Sequence, residues 1–147
     1  MAQSFSIAPA GVSPLVILAL IGLLLVGVLG GVGRSVLASR TARFEVTDHV
    51  LALRGDWWGR ELPRSALNAS EARVVDLREE RALQPVRRTF GTGLPGYGSG
   101  WFRLRNGERA LVYLTDRSRV VVVPTDLGYT LVLSPSDPEG LVAALRN

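Results

Sequence analysis

An uncharged apolar run near the start of the chain constrains its fold more than any other feature. Leu15 to Val32 is a run of 18 residues without a polar side chain, and no charged residue occurs before Arg34. As a helix, the run would be about 27 Å long, close to the hydrocarbon thickness of a bilayer. Ser13 and Pro14 precede it in an order typical of a helix N-terminus. The sequence therefore predicts a transmembrane helix over residues 14–33, after a short tail at 1–13.

A cleaved signal peptide is the alternative interpretation of this run. It is disfavoured because no positive region precedes the run, and because the run is longer than the usual apolar region of about 7–15 residues. Arg34 also interrupts the one small-residue cleavage candidate, Val36-Leu37-Ala38. Arg34, Arg40 and Arg43 follow the run closely, so the positive-inside rule places the N-terminus outside and the remaining chain in the cytoplasm.

Two glycines inside the run raise the question of helix pairing. Gly27 and Gly31 form a small-xxx-small pair that would let two helices approach closely. Glycines are common in membrane helices, and Gly22, Gly30 and Gly33 blur any single face. A homodimer through this helix and an ordinary glycine-rich span therefore stay as two hypotheses.

The composition of the remaining chain excludes much catalytic chemistry. The chain has no Cys and a single His, His49, so disulfides, thiolate nucleophiles and zinc sites built on Cys or clustered His are excluded. All 17 basic residues are Arg, and the 13 acidic residues are interspersed with them. A nucleic-acid surface would segregate its charge, so nucleic-acid binding is not predicted. We expect a non-enzymatic domain without a metal or a cofactor.

Beyond a linker over residues 34–42, strand-length runs alternate with turn residues, which is the all-β pattern. About seven or eight strands on short turns favour a barrel or a sandwich. Ser136 and Glu139 have the spacing of a capping box before an apolar helical period, which predicts one C-terminal helix of about ten residues. The candidate strands are Phe44–Val46, His49–Arg54, Trp57–Leu62, Ala72–Leu77, Trp101–Arg105, Ala110–Thr115, Val120–Val123 and Thr130–Leu133.

Several separated motifs resemble those of a known family. The most specific one runs from Arg88 to Tyr97 and joins Gly100-Trp101-Phe102; others are Trp58-Gly59-Arg60 and Tyr113-Leu114-Thr115-Asp116. With them, the chain from Arg43 to Arg146 resembles the small membrane-anchored bacterial proteins that carry a pleckstrin-homology-like domain. The resemblance implies a mainly β fold over residues 43–147, a seven-stranded bent barrel closed by the C-terminal helix, at the bacterial inner membrane.

The resemblance implies no known activity. Eukaryotic relatives of the fold bind phosphoinositide head groups through basic residues around the first strand–strand loop. That loop is Thr47-Asp48-His49 in this chain, too short and too acidic for the basic pattern. Inositol-lipid recognition is therefore not predicted, because a fold alone does not transfer function.

A long connection of about 20 residues from Glu79 to Ser99 is the predicted functional segment, since loops of this length are often functional. Its glycines formally match G-x-G-x-x-G, but Pro95 and the strand that follows do not fit a nucleotide site. In that strand Trp101, Arg103 and Arg105 alternate with Phe102 and Leu104, so the first three share a face. The predicted binding residues are Arg87, Arg88, Tyr97, Trp101, Arg103 and Arg105. The alternative is that these arginines pair with acidic residues of neighbouring strands.

The predicted function is therefore a protein-binding or scaffolding module at the inner membrane. Its partners would be the bilayer, through the N-terminal helix, and an unidentified membrane-associated protein. Recognition of anionic lipid head groups by the arginine and aromatic face is the first alternative. An accessory subunit of an envelope enzyme or transporter is the second, although no cluster of catalytic groups is visible.

Overall fold

A computed structural model describes residues 13–55 and 57–147. The chain divides into two compact units, one ending at Val36 and one covering Leu37–Asn147. Helix α1 covers Ser13–Thr41 and thus continues through most of the predicted linker. Its segment Pro14–Arg34 has a mean hydropathy of 2.9 and is long and apolar enough to cross a membrane, a property that signal sequences share. The predicted tail lies outside the described residues except for Ser13.

The second unit contains two sheets and a C-terminal helix. Its elements are β1 Arg43–Val46, β2 Val50–Arg54, β3 Arg60–Pro63, β4 Arg73–Val75, β5 Pro85–Leu94, β6 Tyr97–Leu104, β7 Arg109–Leu114, β8 Val120–Pro124, β9 Thr130–Leu133 and helix α2 Pro138–Arg146, with short 3-10 turns at Arg64–Ala66, Ala69–Glu71 and Arg81–Leu83. The smaller sheet has the order β1-β2-β3, and the larger has the order β4-β8-β9-β7-β6-β5. All pairings are antiparallel except the parallel pair of β7 and β9.

The mainly β class with a C-terminal helix is confirmed, but the seven-stranded barrel is not. The described residues form nine strands, and no ladder joins the three-stranded sheet to the six-stranded sheet. The extra strand content comes largely from the region predicted to be a long loop.

The predicted connection over 79–99 is wrong, because most of it is strand. β5 pairs with β6 from Pro85 to Leu94, and Pro95-Gly96 makes the tight turn between them. Glycines that suggest a loop instead face each other across the ladder, Gly91 opposite Gly100 and Gly93 opposite Gly98. The argument from loop length therefore no longer supports a functional site here.

The six-stranded sheet is apolar on both faces. One face, with Leu111, Leu131 and Leu133, forms a core with the smaller sheet and with Leu145 of α2. The opposite face, with Val112, Val122 and Val132, is covered by Leu77 and Leu83 from the segment between β4 and β5. This double burial explains why β8 and β9 are nearly continuous apolar runs without alternation.

The N-terminus of α2 is capped by Asp137 and not by the predicted Ser136. The Asp137 side chain accepts a hydrogen bond from the Gly140 N–H at 3.0 Å, and Pro138 occupies the first turn. We expect Asp137→Ala to lower the free energy of unfolding by about 1 kcal/mol, since the helix loses its cap. Urea denaturation of the full chain measures this. Ser136→Ala should leave stability unchanged; the reverse order would restore the capping-box assignment.

Candidate functional site

Three arginines lie in register across three neighbouring strands. Arg87 of β5 is directly opposite Arg103 of β6, and Arg103 is opposite Arg109 of β7. Residues paired in this way project on the same face with Cβ atoms about 4.5–5.5 Å apart. All three side chains are exposed. We call this set the arginine row.

The arginine row has no acidic counter-charge among the residues that the structure describes. Among the described residues, no carboxylate lies within 4.0 Å of any of its guanidinium groups, whereas Arg54, Arg73, Arg78 and Arg119 each have such a partner. In the row, Arg103 donates to the Gly107 carbonyl at 2.6 Å. Like charges directly opposite one another are destabilising. The row therefore concentrates positive charge that an external anion would neutralise.

Four arginines elsewhere on the domain, Arg54, Arg73, Arg78 and Arg119, show the opposite arrangement, whereas Arg64 and Arg146 donate to main-chain carbonyls. Arg119 hydrogen-bonds to Glu139, and this bond lowers the pKa of the Glu139 carboxyl. Arg78 likewise lowers the pKa of Asp76 through side-chain and backbone hydrogen bonds. The alternative considered from the sequence is that Arg87, Arg88, Arg103 and Arg105 pair with acidic residues; among the described residues none of these four has a carboxylate within 4.0 Å.

Trp101 lies beside the row and carries two further cationic contacts. The guanidinium groups of Arg60 and Arg109 lie 4.9 Å and 5.2 Å from the Trp101 ring centroid. Tyr129 packs edge-on against the same ring at 4.8 Å. Such cation–π contacts fix the guanidinium groups without neutralising them. Arg60, from the smaller sheet, thus extends the basic surface beyond the row.

An apolar flank borders the row at the edge strand β5. Phe90 is opposite Trp101 and is 65% exposed, and its ring packs edge-on against Trp58 at 4.7 Å. Val86 on the same strand is also exposed. β5 is an outer strand of the six-stranded sheet. Charged and exposed apolar groups therefore lie side by side on an accessible edge.

The structure brings together only part of the predicted set. Arg87 and Arg103 are in the row, with half-buried Trp101 beside them. Arg88 is on the other face, opposite Phe102. Arg105 lies beyond the end of β6, where its guanidinium group donates to the Gln84 side chain. A single exposed stripe of Trp101, Arg103 and Arg105 is therefore not present.

Tyr97 does not lie on the exposed surface. Only 6% of it is exposed, at the start of β6. Gly27 and Gly31 are in α1, where a Cβ added at either would meet nothing within 4 Å. The contact between two such helices stays a prediction.

Arg60, Arg109 and Phe90 were missed by sequence reasoning. Arg60 and Arg109 lie outside the predicted functional segment, which is the connection over residues 79–99 and the strand that follows it. Phe90 lies inside that connection, but the segment was predicted to be a loop and not a strand. A two-residue turn at Asn106-Gly107 would pair Arg103 with Ala110, so the turn sequence alone does not mark Arg109. No local signal marks Arg60 either, because its contact with Trp101 joins two different sheets.

The described residues contain no group of three or more His, Asp or Glu side chains that could hold a metal ion. The basic surface can bind anions, but its arginines supply neither a nucleophile nor a general base at neutral pH. Its chemistry is that of recognition.

Comparison with protein families gives one match. The model of a family described as bacterial PH domain matches residues 58–147, from the turn before β3 to the end of the chain. No curated protein and no solved structure matches the chain.

Proposed function

Because the chain belongs to the bacterial PH domain family, we propose that it is a non-enzymatic, single-pass protein of the bacterial inner membrane whose domain binds an acidic segment of another membrane-associated protein. α1 is the anchor, with the N-terminus outside and the domain in the cytoplasm. The observation that carries the proposal is the arginine row, three in-register arginines without a carboxylate partner among the described residues.

A protein partner is favoured by the presence of an anchor. A membrane helix already keeps the domain at the bilayer, so tight lipid binding by the domain would add little to its residence there. Carboxylates match guanidinium groups in charge and in planar geometry. The exposed ring of Phe90 beside the row offers an apolar contact to the same segment.

Anionic lipid head groups are the second candidate ligand. The same surface combines arginines with the exposed side chains of Val86 and Phe90, and Trp57 is exposed as well. Basic residues near an anionic leaflet contribute about 1 kcal/mol each, and aromatic side chains favour the interfacial region.

Site-specific photocrosslinking in native membranes tests the proposal. We expect benzoylphenylalanine in place of Phe90 to give adducts with a second protein upon irradiation. The same probe in place of Leu127, an exposed residue between β8 and β9, is the matched control and should give none. Arg103→Gln should reduce the Phe90 adducts several-fold, because it interrupts the row at its centre.

Each other result has a defined meaning. Adducts with lipids alone would overturn the protein partner in favour of head-group binding. Adducts only between copies of the chain would replace the second protein by a homodimer. Equal yields from positions 90 and 127, or yields unchanged by Arg103→Gln, would show that the arginine row is not the binding surface.

A further inference from the structure

Strand β1 has an open edge. It pairs with β2 on one side, and no strand among the described residues pairs with its other side. The Thr47 N–H donates to the Val50 carbonyl at 2.9 Å, which fixes the alternation of the ladder. Because hydrogen-bonded and non-hydrogen-bonded pairs alternate, the main-chain N–H and C=O groups of Phe44 and Val46 point away from β2. Two sets of main-chain groups, about 6.8 Å apart, are thus available to an incoming strand.

A groove of about 740 Å³ runs along this open edge. Phe44 and Val46 line it from β1, and Leu141 and Ala144 line it from α2. Tyr97 and Tyr113 also line it, together with the polar residues Thr115, Ser134 and Ser136. Apolar and polar side chains therefore lie next to main-chain donors and acceptors that no described strand uses, which is the combination used in strand addition.

We propose that an extended segment of another protein enters this groove and pairs with β1. A strand presents donors and acceptors at the repeat that Phe44 and Val46 require, and every second side chain would point into the groove. A lipid chain would contact the apolar side chains of the wall but leave these main-chain groups and the polar side chains of the groove without partners. The site is separate from the arginine row.

The charges at the groove indicate an acidic residue in the segment. Arg43 lines the groove, is exposed, and has no carboxylate within 4.0 Å among the residues that the structure describes. Asp137 also lines it, but its carboxylate accepts the Gly140 N–H at the start of α2. An Asp or Glu at the end of the segment nearest Arg43 would complete the pairing.

Amide exchange of the full chain in neutral lipid nanodiscs tests this inference. The probes are two seven-residue peptides of alternating Val and Thr, with one Glu at either the first or the last position. We expect one of them to slow exchange of the Phe44 and Val46 amides at least about tenfold, while the Glu45 amide, already bonded to β2, changes little. Unchanged exchange at Phe44 and Val46 with both peptides would overturn the proposal, as would protection of these amides by a second copy of the chain without peptide.

Two variants separate strand pairing from simple adhesion. Val46→Pro removes an outward N–H and should weaken peptide binding about tenfold, whereas Val46→Thr keeps the amide and the shape and should bind within about twofold of the original. Ala144→Trp fills the groove from α2 and should weaken peptide binding at least about tenfold, so the site can be tested even if Val46→Pro fails to fold. Binding unaffected by Ala144→Trp would contradict the site.

Arg103→Gln should leave binding of these peptides unchanged, so this inference and the proposed function can fail independently.

Discussion

Gly100→Ala is expected to lower the free energy of unfolding by about 3 kcal/mol or more, or to prevent folding. Gly100 has a φ of +111° and lies opposite Gly91 in the β5–β6 ladder. A Cβ at this position would lie 2.6 Å from the Gly91 Cα and 2.6 Å from the Phe90 carbonyl oxygen. Both neighbours are backbone atoms, so relief requires the two strands to separate. Denaturant unfolding of the full chain measures the loss.

Two other glycines provide matched controls for this prediction. A Cβ at Gly98, on the same strand, would be in ordinary contact, 3.8 Å from the Phe102 ring, so Gly98→Ala should be nearly neutral. Gly107 has a φ of +91° but no atom within 4 Å of its Cβ position, so Gly107→Ala should cost only the conformational strain of about 1–2 kcal/mol. If Gly100→Ala cost no more than Gly107→Ala, the close approach of β5 and β6 would not be a structural requirement.

The sequence predicts the side-chain alternation of β6 correctly but not what lies on each face. Phe102 and Leu104 belong to one core cluster and Trp101 packs against the other, as the period of two requires. The expected exposure of this face holds for Arg103 but not for Trp101, which is half-buried because it packs against the core that the sheet forms on this side. A two-sided sheet is a tertiary property, since the side chains that cover its second face, Leu77 and Leu83, are distant along the chain from β7 and β9.

The arginine row could not be predicted from local sequence patterns, because it depends on the pairing registers of β5 with β6 and of β6 with β7. A two-residue turn at Asn106-Gly107 would place Arg103 opposite Ala110. The observed loop has three residues, with Gly107 at positive φ, and the pairing shifts to Arg109. On the other side, the ladder of β5 and β6 is irregular between Pro85 and Arg87 and again between Arg88 and Phe90. These irregularities bring Arg87 opposite Arg103 and leave Arg88 on the other face.

Helix α1 illustrates the opposite case, in which local composition is sufficient to predict a helix. An apolar run of this length forms a helix in most environments, and α1 contains it entirely. Its continuation to Thr41 was not predicted because Ser35, Ser39 and Thr41 are weak helix formers. The low helix propensity of these residues costs little free energy here, because adding residues to an existing helix does not repeat the cost of nucleation.

Arg87→Glu is expected to raise the free energy of unfolding and to weaken the proposed binding of an acidic segment. The substitution replaces the like-charge pair of Arg87 and Arg103 by an opposite-charge pair. No ion pair is lost, because Arg87 forms none among the described residues. The free energy of unfolding should rise by about 0.5–1 kcal/mol at low salt, and the gain should shrink as salt screens the pair. Urea titrations of the full chain in a neutral detergent, at low and high salt, measure both effects.

Arg87→Glu should lower the affinity for an acidic peptide, and by more free energy than it adds to stability. The probe is a fluorescent hexaglutamate peptide, titrated against the full chain in neutral nanodiscs. Reversing one charge of the arginine row should cost about 2 kcal/mol, a loss of about 30-fold in affinity. The affinity of Arg87→Gln should lie between that of the original chain and that of Arg87→Glu. Arg119→Glu, which breaks the pair with Glu139 away from the row, should leave affinity unchanged. A protein that becomes more stable and binds less well when one arginine is reversed carries that arginine for recognition; reduced stability with unchanged binding would make the row a structural feature instead.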